Sequence, residues 1–514
     1  MKRLAVALAA ALALGPAAAR GAKPSVQPVK ARIETGVLVG RQSGPVRSFK
    51  AIPYAAPPLG PLRWSPPAPA RAWAGERDAG ADGPACLQPV NADGRPNGGG
   101  YAGPTSEDCL TLDVWAPAQA HKAPVMVWIY GGGNLYGADS IAPNDGRAFA
   151  RDGVVLVSMN YRLGALGFFA HPALTETAGL AEPLASYGIM DQIAALAWVK
   201  RNIAAFGGDP RNVTVFGESA GGADVLTLMA APSAHGLFQK ATVQSAPAWE
   251  RPPTLAEAEA AGLALTAWLG LPAHADVDKL RAIPAEKLVG APGRFGPVVD
   301  RRLIFESIAE AFARGEAAPV PLIIGSNSWE ASLLPPTESA AYLAAAPPSL
   351  RAAYPGEAAE PERLAQAMFT DATMGAPARW IAARASIRAP AWLYAFSYVR
   401  VARRGKIPGA NHTSENPYVF DTQMIIPNYA AEIVGEDRDV AAFVHRCWVS
   451  FAKTGAPRCA AAGRRWPRYD PKTEALMEFA ATPVIRTRYR EPQLDAQERA
   501  SPPPVGRGPA PAGP

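Results

Sequence analysis

Short, unbroken apolar runs of strand length recur along this chain: Val125 to Ile129, Val154 to Val157, Val213 to Phe216, Leu322 to Ile324 and Trp392 to Phe396. They do not alternate apolar with polar, which is the pattern of strands covered on both faces. Helical patterns stand between them. From Ile189 to Phe206, the residues Ile193, Leu196, Ala197 and Val199 or Lys200 recur at spacings of three and four, and further helical stretches follow from Ala223 to Ala230 and from Val440 to Phe451. Strands alternating with helices predict an α/β fold with a mostly parallel, doubly wound central sheet, helices on both faces and long loop insertions.

No internal repeat and no Pro-, Gly- or Ser-rich linker divides the chain, so residues 23–490 read as one domain. The two ends read differently. Met1, Lys2 and Arg3 precede an apolar run from Leu4 to Leu14, then Gly15-Pro16 and the small residues Ala17, Ala18 and Ala19, the layout of a cleavable secretory signal cut after Ala19 or Ala22. The run is short of the roughly 20 residues that span a bilayer, and no second one exists, so export without a membrane anchor is expected, to the periplasm or the medium. Residues 491–514 end in a Pro-rich stretch and are expected to be disordered.

Composition narrows the function classes. With 48% hydrophobic and 19% charged residues in 514, the chain is ordinary for a globular protein. Its net charge of +6 comes from 51 Lys and Arg against 45 Asp and Glu, with no run of five or six like charges, so there is no nucleic-acid footprint. Six histidines leave few candidates for any base.

The strand Val213 to Phe216 runs directly into Gly217-Glu218-Ser219-Ala220-Gly221-Gly222 and then into a helical pattern. This is G-x-S-x-G between a strand and a helix, where a sharp turn lifts the serine hydroxyl clear of the sheet. A serine needs a base to take its proton, and in such a fold the partners follow it in the order Ser, acid, His. Of the later histidines, His274 lies in a surface stretch that reads as helical and His445 inside the Val440 to Phe451 pattern. His412 instead stands in a loop of small residues, Gly409-Ala410-Asn411-His412-Thr413-Ser414, and is the expected base. Two carboxylates compete for the orienting role: Glu330, after Leu322-Ile323-Ile324 and a glycine turn, and Asp300, after Val298-Val299. Tyr130-Gly131-Gly132-Gly133-Asn134 follows another strand upstream, where backbone N–H groups can stabilise an oxyanion. It lacks a G-x-G-x-x-G frame and a Lys-Ser or Lys-Thr partner, which argues against a nucleotide loop. No cofactor or metal motif is present; His445 and Cys447, two apart on a helix, face different ways.

Taken together these stretches resemble the type-B carboxylesterase and lipase family, which also contains the cholinesterases, and the likeness runs from about residue 33 to 490. Phe49 to Ala55 with Pro57-Pro58-Leu59-Gly60 and Leu62-Arg63-Trp64 resemble its N-terminal signature, and Ser106-Glu107-Asp108-Cys109-Leu110 its second. Asp191-Gln192, Trp198-Val199, Asn202-Ile203 and Phe206-Gly207-Gly208-Asp209-Pro210 lead into the serine turn as in the family. The resemblance implies an α/β-hydrolase fold and a Ser219, Glu330, His412 triad, with Asp300 structural. It also implies oxyanion donors at Gly132, Gly133 and Ala220, and structural ion pairs Arg63 with Glu107 and Arg162 with Asp191. It implies a Cys86–Cys109 disulfide closing the loop Leu87 to Asp108 at the mouth of the gorge. Cys447 and Cys459 lack a counterpart and read either as a second pair or as buried thiols. Asn134, Ala331 and Thr413 depart from the family pattern, where an aromatic residue, Gly and Gly are common. The implied activity is hydrolysis of small-molecule carboxylic esters through an acyl-enzyme; a lipase, a thioesterase, a specialised ester or carbamate hydrolase, and an inactive adhesion homologue are the alternatives.

Overall fold

The computed structural model describes residues 26–505 apart from 273, so the expected signal segment lies outside the described residues. One sheet of thirteen strands carries the fold. Its strands are β1 (Val26–Ile33), β2 (Gly36–Ser43), β3 (Val46–Pro53), β4 (Glu76–Asp78), β5 (Thr111–Pro117), β6 (Ala123–Ile129) and β7 (Val155–Met159). Then come β8 (Gly208–Glu218), β9 (Lys240–Gln244), β10 (Leu322–Asn327), β11 (Ala391–Phe396), β12 (Leu476–Phe479) and β13 (Val484–Arg486). Their order is β1-β2-β3-β5-β7-β6-β8-β9-β10-β11-β12-β13, with β4 beside β2. The central run from β7 through β12 is parallel. The flanking pairs along β1-β2-β3-β5-β7, and β12 with β13, are antiparallel, whereas β4 runs parallel to β2.

The burial patterns follow this division. β7, β9 and β11 are buried at every residue, because helices cover both faces. β1 alternates exposed and buried positions toward its end, as an antiparallel strand with one wet face does. This amino-terminal meander was not among the expected strands. Helix α1 (Tyr187–Asn202) buries Ile189, Leu196 and Val199 on the sheet, and a short 3-10 turn carries it to Phe206. Helix α2 (Ala220–Ala230) follows β8, and α3 (Gly435–Thr454) crosses behind it with Val444, Trp448 and Phe451 buried. The main apolar cluster runs from Ala31 to Phe479.

The expected disorder from residue 491 fails for its first ten residues. Helix α4 (Glu491–Ala500) buries Leu494 and Ala496, and Gln497 donates to Tyr354 Oη at 2.7 Å. Arg379 pairs with Asp495 at 2.7 Å and with Glu498 at 2.5 Å, which fixes the helix to the sheet's outer layer. His274 also differs from expectation: it lies exposed in a turn, not in a helix.

Candidate active site

The carboxyl ends of parallel strands are where an open α/β sheet gathers its chemistry, and β8, β10 and β11 deliver three groups there. Ser219 follows β8 with φ 57° and ψ −128°, a backbone setting that non-glycine residues rarely adopt. The two glycines of the motif make that turn possible. A side chain at Gly217 would strike the carbonyl of Gly221, and one at Gly221 would strike the carbonyl of Ile129. Ser219 N–H donates to Gln244 O at 2.8 Å, so the neighbouring strand β9 holds the turn.

Glu330 opens a 3-10 turn after β10 and is fully buried. His412 lies in the loop that follows β11. The two loops are bound to each other: Trp329 N–H donates to Ala410 O at 2.9 Å, His412 N–H to Ser332 Oγ at 2.9 Å, and Asn327 Nδ2 to Asn411 O at 3.0 Å. The result brings His412 Nδ1 to 2.6 Å from Glu330 Oε2. The other carboxylate oxygen accepts from Ser245 Oγ and from Asn327 N–H, each at 2.6 Å. Thr413 has φ 69°, which gives the physical reason why glycine is common there.

His412 Nε2 is buried and without a hydrogen-bond partner among the described residues. It stands 3.1 Å from Glu218 Oε1. Burial alone would lower the His412 pKa, but Glu218, Glu330 and Glu415 outweigh it and hold the pKa above the ordinary 6.5. Burial in turn pushes the Glu218 carboxyl up to about 8, helped by Glu415 and Glu330 and opposed by His412. Neither Glu218 nor Ser245 was singled out from the sequence as part of the site. Glu218 ends β8 and Ser245 directly follows β9, and no local pattern of residues marks either as part of a site.

The glycine loop sits over Ser219: a side chain on Gly131 would stand 2.8 Å from Ser219 Cβ. Gly132, Gly133 and Asn134 have φ of 105°, 66° and 56°. Gly133, Asn134, Ser219 and Ala220 line one cavity of about 850 Å³, whose walls include Phe168, Phe169, Leu265 and Phe295. A smaller cavity of about 240 Å³, behind Asn327 and Trp329, holds Asp371 and Arg490 already paired with each other at 2.8 Å.

Asp300 takes a different part. It accepts from the backbone N–H groups of Leu184, Arg302, Leu303 and Ile304 at 2.9–3.0 Å, so it shapes a turn. Arg63 pairs with Glu107 at 2.6 Å and Arg162 with Asp191 at 2.7 Å. His445 Nδ1 meets Val419 O at 2.7 Å inside α3, away from the serine's cavity. Cys86 is bonded to Cys109, and Cys447 to Cys459. The first bond closes the loop Leu87 to Asp108. This loop gives no residue to the lining of the large cavity, and packs instead on the end of the glycine loop, where Gln88 accepts from Gly137 N–H at 2.9 Å and donates to Gly137 O at 2.7 Å.

The model of the Carboxylesterase family matches residues 27–344 and 348–497. The fumonisin B1 esterase of Sphingopyxis macrogoltabida is 37% identical over 477 residues, covering 87% of this chain and 86% of that one. The para-nitrobenzyl esterase of Bacillus subtilis is 34% identical, covering 91% and 97%. Among solved structures, a PNB esterase superimposes with a TM-score of 0.78 at 32% identity, covering 91% and 99%. A Geobacillus stearothermophilus carboxylesterase does so with a TM-score of 0.79 at 33% identity, with the same coverage. A serine turn and a glycine loop on one cavity, with a carboxylate-bound histidine in the neighbouring loop, in a chain this similar along nearly its whole length, make the protein a member of the carboxylesterase family, a carboxylic ester hydrolase of the α/β-hydrolase fold.

Proposed function

We propose that the protein hydrolyses carboxylic esters through a Ser219–His412–Glu330 triad and a covalent acyl-enzyme. His412 Nε2 takes the proton of Ser219 Oγ as the oxygen attacks the ester carbonyl. The backbone N–H groups of Gly132, Gly133 and Ala220 stabilise the resulting oxyanion. His412 then gives the proton to the leaving alcohol oxygen. Water repeats the steps on the acyl-enzyme, with His412 again as base and Ser219 as leaving group. Glu330 holds the Nδ1–H throughout, which keeps Nε2 free to accept and stabilises the imidazolium. The observation that carries this reading is the 2.6 Å contact of His412 with Glu330 beside the Ser219 turn.

A cavity of about 850 Å³ with Phe168, Phe169, Leu265 and Phe295 in its walls suits esters with a large, mostly apolar acyl or alcohol group. Bulky substrates also fit the range of names borne by the relatives, from para-nitrobenzyl esterase to fumonisin B1 esterase. Export to the periplasm or medium completes the reading. Two disulfides favour an oxidising compartment, and among the described residues no helix is long and apolar enough to cross a membrane. Sequencing the mature amino terminus checks the cut after Ala19 or Ala22.

The decisive experiment is Ser219→Ala. Ester turnover should fall by several orders of magnitude, roughly 10⁴-fold or more, with melting temperature unchanged, because the hydroxyl serves covalent chemistry. An organophosphate should label Ser219 in the parent. Label on Ser245 or Ser414 would overturn the assignment.

A further inference from the structure

The glycine loop has little intrinsic rigidity: three successive residues, Gly132, Gly133 and Asn134, hold positive φ. Something must fix it relative to α2, since Ala220, the third oxyanion donor, is the first residue of that helix. The tie runs through Asn134. Its Nδ2 donates to Asp224 Oδ1 at 3.3 Å, and Asp224 sits on α2, little more than one turn after Ala220. Gln192 Nε2, from α1, donates to the other Asp224 oxygen at 2.7 Å. On the loop side, Tyr161 Oη reaches Asn134 Oδ1 at 3.3 Å and Tyr130 O at 2.8 Å, and Gly164 N–H donates to Asn134 O at 2.7 Å.

Asp224, Gln192 and Tyr161 are fully buried, and Asn134 is 5% exposed. Asp224 has amide donors but no cation among its hydrogen-bond partners, an expensive way to fill a core position. Burial pushes its carboxyl up to about 7, against the pull of Gln192 and Asn134. A group kept at such cost beside the reacting atoms calls for a role that a neutral residue would not fill.

We infer that Asp224 is a positioning residue: by holding Asn134 it locks the glycine loop to α2, so that the N–H groups of Gly132 and Gly133 converge with that of Ala220 on the carbonyl oxygen of a bound ester. This rests on the proposed oxyanion role of those three groups. The interaction matters most when charge develops on that oxygen, so its loss acts on kcat and leaves substrate binding nearly unchanged.

The test compares Asn134→Ala, Asp224→Asn and the double variant, on a small aryl ester, with rates normalised to active sites titrated by an organophosphate. Each single variant should lower kcat about 10- to 100-fold with KM within about threefold, less than the full loss of an oxyanion donor. The double variant should be no slower than the slower single one, because both act through the one Asn134–Asp224 contact. Binding of a trifluoromethyl ketone, whose adduct carries an oxyanion, should weaken by the same factor. Asn134→Ala carries the test alone if Asp224→Asn does not fold. Rates per titrated site within about twofold of the parent, a rise in KM alone, or losses that multiply in the double variant overturn the inference. Ser219→Ala separates the two levels: activity retained there removes the triad reading itself, whereas its loss beside normal Asn134 and Asp224 variants removes only this inference.

Discussion

Replacing Glu330 by Gln changes one atom and keeps the volume, yet the hydrogen bonds decide how the amide must sit. Oε1 accepts from Asn327 N–H, a donor that cannot turn, and from Ser245 Oγ, which can rotate. The amide oxygen of Gln therefore takes the Asn327 side, and its NH₂ faces His412 Nδ1. That nitrogen must then accept, which moves the imidazole proton to Nε2 and leaves no base for Ser219. The charged form is also destabilised, because the imidazolium loses a buried partner at 2.6 Å. Losing one member of a buried ion pair costs about 3 to 5 kcal/mol, which at 1.36 kcal/mol per decade is a fall in kcat of two to four decades. The assay is kcat on a small aryl ester, per titrated site, alongside thermal melting. Melting should move little, since the amide keeps all three contacts, with His412 Nδ1 now accepting. A variant within tenfold of the parent kcat at an unchanged melting temperature would refute the tautomer argument. Fully restored turnover in alkaline buffer would refute it too, because the misplaced proton does not titrate there.

The remaining expectations are briefer. Asp300→Asn should lower melting temperature while leaving kcat per folded molecule within about twofold, since that carboxylate binds four backbone N–H groups and no catalytic side chain; an inactive variant that melts like the parent would reverse its role with Glu330. Glu218→Gln should shift the acidic limb of kcat/KM to lower pH: in the proposed mechanism His412 is the neutral base, its pKa is held high partly by Glu218, and removing that charge lets the base form appear earlier. An unmoved limb would show that Glu218 carries no charge in the working enzyme. Cys86→Ser opens a bond spanning 23 residues, for which the chain-entropy estimate gives about 3 to 4 kcal/mol of lost stability. It should also slow small and bulky esters alike, because Gln88 then holds Gly137 less firmly; a loss confined to bulky esters would place the loop at the entrance after all.

The parts of this site that were legible in the sequence are those whose physics is local. The Ser219 turn needs a strand before it, a helix after it and no side chains at Gly217 and Gly221, all within a dozen residues. The choice between Glu330 and Asp300 was not legible from residue chemistry, because both carboxylates follow apolar runs; resemblance favoured Glu330, and only the approach of the His412 loop to β10 shows which one meets an imidazole. Glu218 and Asp224 escaped notice for a related reason. The last residue of a strand can point to either side, and a carboxylate on a helix ordinarily faces water, so neither sequence position announces burial beside Ser219. At the carboxyl terminus, the prolines after Ser501 coloured the reading of residues 491–500, although Leu494 and Ala496 were sufficient to dock a helix once Arg379 and Tyr354 stood opposite.

The backbone of Ser219 sets a limit on how this protein can change. At φ 57° and ψ −128° a side chain costs about 1 to 3 kcal/mol that a glycine would not incur. Random drift toward sturdier folding therefore leads away from the hydroxyl that the proposed mechanism needs, and the two pressures meet at one codon. Lineages released from ester hydrolysis would find their first stabilising substitution there, and the same sheet, already well packed without it, would survive as a scaffold for another purpose.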